Sequence, residues 1–190
     1  MAEYSLISAP PLTGYDKTTG NITLRAPADL ALVSVALPLG GEAGALKAIK
    51  SAYGSDLPEV GKSSTTTAKG DATLLRMGSD QAFVMFTHAT PDAEPVVAAK
   101  LKGAAYTTDQ TDVWCALEIS GAGARRALER ICPLDLHDDA FAVHDVARTM
   151  MEHLGVIILR TEAERWLLLS ASSSAGSFLH ALETSITNVS

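Results

Sequence analysis

Leu75-Arg76 followed by Phe83-Val84-Met85 recurs 84 positions later as Leu159-Arg160 followed by Leu167-Leu168-Leu169. Nearby, Gly41, Leu46 and Ile49 recur at a spacing of 82 as Gly123, Leu128 and Ile131. A chain of 190 residues that repeats its pattern at slightly under half its length is constrained to build two copies of one supersecondary unit. The unit reads as βαββαβ.

In the first copy, Ala31–Leu37 predicts a strand and the segment 40–53 a helix, with Ala45, Leu46, Ile49 and Ala52 near helical spacing. A loop rich in Ser, Thr, Gly and Lys is expected over 54–70. Strands follow at Ala72–Met77 and Ala82–Phe86, joined by a Gly78-Ser79-Asp80 turn. A helix over Pro91–Lys102 is entered through Thr90 as cap, and a short strand over Ala104–Thr107 closes the copy. In the second copy, Val113–Ile119 predicts a strand and Gly121–Ile131 a helix, with Ala124, Ala127, Leu128 and Ile131 on one face. Strands near Ala147–Glu152, Val156–Leu159 and Trp166–Ser170 precede a helix over Ser174–Ile186. The expected fold class is α+β: two similar βαββαβ-like halves, 29–109 and 110–190, forming one unit.

Leu32-Val33, Phe83–Phe86, Val156–Leu159 and Trp166–Leu169 are apolar at consecutive positions, so both faces of their sheets must be covered. The helices of such a unit cover one face. The other must meet the second copy, the segment before residue 29, or another protein. That segment, 1–28, carries Pro10 and Pro11 and scattered apolar residues without a period, and is expected to be an extended arm lying across a surface. Tyr4, Leu6, Ile7 and Tyr15 are its candidate partner contacts.

A net charge of −7 argues against phosphate-backbone binding, and 5% aromatic residues against base-stacking platforms. No apolar run reaches the length of a membrane span and the first residues do not read as a secretory signal, so a cytoplasmic location is expected. Cys115 and Cys132 are not spaced as metal ligands and read as reduced core residues.

Five groups invite a chemical reading. Gly61-Lys62-Ser63 lacks the Gly five residues earlier that a P-loop needs and is not followed by a helical pattern. Ser120-Gly121-Ala122-Gly123 lies between strand and helix as a dinucleotide fingerprint would, but Arg126 stands at the third Gly position; a tight turn with Ser120 as helix cap is expected. His137, Asp138, Asp139, His144 and Asp145 crowd one loop in a spacing that matches no ligand set. Ser172, Ser173 and Ser174 precede the last helix, where capping is expected. Arg76, Arg148 and Arg160 lie in or beside apolar strands, and each charge needs a partner, across an interface or on a ligand. No catalytic, cofactor-binding or metal-binding residue is nominated.

The chain resembles the gamma subunits of heterotetrameric sarcosine oxidases. The resemblance rests on Thr108-Asp109-Gln110-Thr111-Asp112-Val113-Trp114, on Ser120-Gly121 with the helix running to Cys132-Pro133-Leu134-Asp135-Leu136-His137, and on Phe141 and Val143 leading to Ala147-Arg148-Thr149. Leu75-Arg76-Met77-Gly78 before Asp80 extends it to the first half. Where this chain has His144, that family commonly has Gly. The resemblance implies a fold like the folate-binding domain of glycine-cleavage aminomethyltransferases. It also implies an assembly with alpha, beta and delta subunits that oxidatively demethylates sarcosine, with FAD, FMN, NAD and tetrahydrofolate held by other chains.

The leading expectation is therefore a non-catalytic accessory subunit, with Trp114 and Arg148 added to the candidate partner contacts. The alternative is a stand-alone folate-binding protein of the same fold, whose Lys-Gly-Cys signature is absent here.

Overall fold

The computed structural model describes residues 9–67, 70–89 and 91–190. Among these, the strands are β1 (Asp16–Thr19), β2 (Ile22–Arg25), β3 (Leu30–Ala36), β4 (Ser63–Thr66), β5 (Ala72–Arg76), β6 (Gln81–Thr87), β7 (Tyr106–Asp109), β8 (Trp114–Ser120), β9 (Val146–Met151), β10 (Leu154–Glu162) and β11 (Arg165–Ala171). The helices are α1 (Glu42–Tyr53), α2 (Ala93–Leu101), α3 (Ala124–Glu129) and α4 (Ala175–Thr187).

Strand pairing follows the sequence repeat residue by residue. One sheet has the order β4-β5-β6-β3-β7 and the other β1-β2-β8-β11-β10-β9, with every pairing antiparallel. Shifting the β3–β6 pair Leu32↔Met85 by 84 gives the β8–β11 pair Ala116↔Leu169. The same shift carries Leu74↔Val84 onto Ile158↔Leu168. Because a one-residue slip would turn every side chain to the opposite face, a shared register means a shared inside and outside. The fold is α+β with two similar halves.

The two sheets pack face to face with helices on both outer faces. Between the sheets lie Leu32, Leu75, Phe83 and Met85 of one and Val146, Ile157, Leu159, Leu167 and Leu169 of the other, all buried. Outside the first sheet, Val33, Val35, Leu74 and Val84 meet Ala45, Ile49 and Tyr53 of α1 and Val97 and Leu101 of α2. Outside the second, Leu117, Ile119, Ile158, Trp166 and Leu168 meet Ala127 and Leu128 of α3 and Phe178, Leu182 and Ile186 of α4. The second copy is thus what covers the apolar face left by each set of helices.

The largest departure from expectation lies before residue 29. Residues 16–25, read as part of an extended arm, form a hairpin closed by Gly20-Asn21, with Gly20 at φ 57°. β2 then pairs with β8, and its Ile22 and Leu24 are buried in the outer core of the second sheet. β2 occupies beside β8 the place that β7 occupies beside β3. Tyr4, Leu6, Ile7 and the Thr90 cap lie outside the described residues.

Two further elements differ. β4 falls within the expected 54–70 loop; it is made of Ser and Thr, and Thr65 and Thr73 face each other across the β4–β5 pair with hydroxyls 3.2 Å apart. Threonine favours strands through its branched Cβ without giving an apolar signal. α3 stops at Glu129 rather than Ile131, where the Ile131 and Cys132 amides both turn back to the Leu128 carbonyl ahead of Pro133.

Candidate functional site

The two halves join at one edge, where β4 and β9 approach. Lys62 and Asp145 form an isolated antiparallel bridge, the Ser63 amide donates to the His144 carbonyl and the Val146 amide to the Gly61 carbonyl. The Lys62 ammonium also donates to the Asp145 carboxylate. Equivalent residues meet here: the Arg76 amide donates to Lys62 O and the Arg160 amide to Asp145 O, while the Gly61 and His144 amides donate to Arg76 O and Arg160 O. Gly61 and His144 share a left-handed backbone, at φ 81° and 76°.

The arginines of the repeat also do the same work twice. Arg76 donates to the carbonyls of Pro58 (3.2 Å), Gly78 (3.3 Å) and Ser79 (2.9 Å). Arg160 donates to the carbonyls of Phe141 (2.7 Å) and Ala163 (2.6 Å), and to the Asp138 carboxylate (2.6 Å). Its guanidinium lies 5.2 Å from the centre of the Trp166 ring, and the side chain is only 4% exposed. A guanidinium holding several carbonyls in fixed directions ties loops together. Hydrogen bonding from Arg160, then its charge, holds the Asp138 carboxyl below its ordinary range.

The glycine-rich turn is filled by protein. At Gly121, φ is 110° and a Cβ would stand 2.0 Å from the Asn21 carbonyl oxygen; at Gly123 it would stand 2.7 Å from the Asn21 side chain and 2.9 Å from Ile22. The hairpin turn therefore occupies the space that a pyrophosphate would need. Ser120 is not the helix cap: Gly123 holds that position without a side-chain bond.

Nor do the other clusters assemble. Asp138 bonds Arg160, Asp145 bonds Lys62, and His137 lies 3.4 Å from Asp139. Among the described residues, no group of three or more His, Cys, Asp or Glu side chains is placed to hold a metal. Ser174 precedes α4 without a capping bond, and Ser172 instead donates to the Asp112 carbonyl at 2.7 Å. Both cysteines are buried, and burial pushes the Cys115 thiol up to about 11.

Of the nominated contacts, Tyr15 is engaged within the chain, donating to Glu183 at 2.8 Å beside the Lys17–Glu183 ion pair. Burial first, then the Glu183 hydrogen bond, pushes its phenol up to about 12. Trp114 and Arg148 come together in a cleft of about 280 Å3 at an open end of the space between the sheets, with Ser34, Gln81, Phe83 and Gln110. Trp114 packs edge-on against Phe83, ring centres 6.3 Å apart, and its buried Nε1–H has no acceptor among the described residues. Among the described residues, the Arg148 side chain has neither an ion pair nor a hydrogen bond. A second cleft, of about 550 Å3, lies between the end of α3, the β9–β10 turn and α4.

No family model matches the chain. It is 31% identical over 153 residues to the sarcosine oxidase subunit gamma of an Arthrobacter species, covering 80% of this chain and 73% of that one. It is 28% identical over 163 residues to the subunit of the same name from Corynebacterium sp. (strain P-1), covering 86% and 79%. The fold is shared with a chain of the heterotetrameric sarcosine oxidase from Corynebacterium sp. U-96, at a TM-score of 0.76 and 24% identity over 90% of this chain and 87% of that one. It is also shared with glycine cleavage system aminomethyltransferase T from Bartonella henselae, at a TM-score of 0.64 and 14% identity, over 85% of this chain and 45% of that one. Identity at this level over most of both sequences, together with the common fold, places the chain in the sarcosine oxidase gamma-subunit family.

Proposed function

We propose that the chain is a non-catalytic accessory subunit of a heterotetrameric sarcosine oxidase, assembling with alpha, beta and delta subunits that carry out the oxidative demethylation of sarcosine to glycine. In this reading FAD, FMN, NAD and tetrahydrofolate are held by the other chains. The observation that carries it is the engagement of the glycine-rich turn, Arg76, Arg160, Lys62 and Asp145 in holding the fold. The hairpin fills the glycine-rich turn. Arg76 and Arg160 clamp loop carbonyls. Lys62 and Asp145 join the halves. Family membership favours a subunit over a stand-alone folate-binding protein.

Reconstitution tests this directly. The complex assembled without this chain is expected to lose stability and sarcosine turnover, and adding the chain back to restore both. Variants at the candidate groups, such as Ser172→Ala, should leave turnover per assembled complex unchanged. Sarcosine oxidation by this chain alone, or a variant that assembles normally yet abolishes turnover, would overturn the proposal.

A further inference from the structure

The cleft lined by Trp114 and Arg148 gains meaning from its counterpart in the other half. The shift of 84 that superposes the strand registers carries Ser34 onto Glu118 and Gln81 onto Arg165. Thr108, opposite Ser34 on β7, corresponds to Arg25, opposite Glu118 on β2. In the second half these positions form a closed electrostatic set: Glu118 lies 2.8 Å from Arg25 and 3.7 Å from Arg165. A protein carboxylate there sits between two guanidiniums. In the first half the same positions are uncharged, the space is open, and the exposed Arg148 of β9 in the opposite sheet lines it.

Among the described residues, none that lines the cleft is Asp or Glu, although the chain carries 22 acidic residues against 15 Lys and Arg. An arginine without a carboxylate in an acidic protein attracts an anion, and a guanidinium binds a carboxylate through charge-assisted hydrogen bonds. Ser34, Gln81 and Gln110 supply neutral hydrogen-bonding groups beside it, and the Phe83–Trp114 pair supplies an aromatic wall. A volume of about 280 Å3 suits a ligand of amino-acid size.

We infer that this cleft binds a small carboxylate carrying a flat or apolar body, with the carboxylate on Arg148 and the body against Phe83 and Trp114. The ligand takes the role that Glu118 fills in the other half. The inference is independent of the accessory-subunit reading, because it concerns a site built within this chain.

The chain has two tryptophans, so its indole N–H resonances separate Trp114 from Trp166 once one is assigned through Trp114→Phe. Benzoate is the probe and benzamide its uncharged control, titrated into the labelled full-length chain. Benzoate is expected to move the Trp114 resonance saturably and leave Trp166 in place, while benzamide moves neither. Arg148→Gln should weaken binding about tenfold or more, the loss expected for a charge-assisted bond. The pair Ser34→Glu with Gln81→Arg copies the Glu118–Arg165 part of that set and should abolish binding by placing a carboxylate of the protein in the cleft. An unmoved Trp114 resonance at saturating benzoate, or equal affinity in Arg148→Gln, would overturn the inference. So would exclusion of benzoate from the assembled complex together with failure of Arg148→Gln to assemble, since the carboxylate would then come from a neighbouring subunit.

Discussion

His144 holds the left-handed backbone that glycine holds at the equivalent Gly61. A residue with a Cβ is strained there, by about 1 kcal/mol. His144→Gly is therefore expected to raise stability by up to about 1 kcal/mol, less the entropy glycine adds to the unfolded chain, read as a higher midpoint in urea. Asp109 acts in the opposite sense. Its carboxylate accepts from the Ala93 and Glu94 amides at the start of α2 and from the Thr111 amide, binding strand, helix and loop together. Burial raises its pKa, but these hydrogen bonds outweigh it and hold the carboxyl below its ordinary value of 3.8. A lowered folded pKa means stabilisation that is present above about pH 4 and lost as pH falls through the lower folded value. Asp109→Ala should cost about 2 kcal/mol at neutral pH, with the gap to the parent narrowing on acidification in that window. No local motif betrays this cap, because the acceptor lies 16 residues beyond the amide it serves.

At the scale of elements, what the sequence made legible was what apolar periodicity reports. β3, β6, β10 and β11 stand close to their expected places because their strands are apolar on both faces, and β8 because Cys115, Leu117 and Ile119 alternate along it. β4 was not legible, since serine and threonine carry no such signal. The β1–β2 hairpin did carry one, the Gly20-Asn21 pair before alternating Ile22 and Leu24, but it sat among prolines and scattered apolar residues that read as an arm. The glycine-rich turn was placed correctly between β8 and α3, yet its purpose required the hairpin. With a Cβ 2.0 Å from a backbone oxygen, Gly121→Ala must displace the hairpin turn. The expected loss is about 3 kcal/mol or more, with faster exchange of the β2 amides that pair with β8. A loss under about 0.5 kcal/mol would mean that the turn yields easily.

Across the whole molecule, the spacing of 84 foretold the duplication, and in the packing each copy leans on the other. Each sheet covers the other's inner face, and the second sheet takes β2 from the segment ahead of the first. We expect 110–190 expressed alone to lack a cooperative unfolding transition, and the described chain from residue 9 onward to show a single one by calorimetry. A folded 110–190 fragment would separate the halves. The candidate cleft was legible only as two residues, Trp114 and Arg148; that they face one space is a property of the sheet packing. The Lys62–Asp145 bridge belongs to this scale as well. Equivalent residues that meet each other lie on a local two-fold axis, the arrangement of an isologous contact between identical subunits. On such an axis in a homodimer, a lysine faces its own copy and an aspartate faces another aspartate. Opposite charges there are open only to copies that differ in sequence, so this ion pair is a contact that two identical halves could not make.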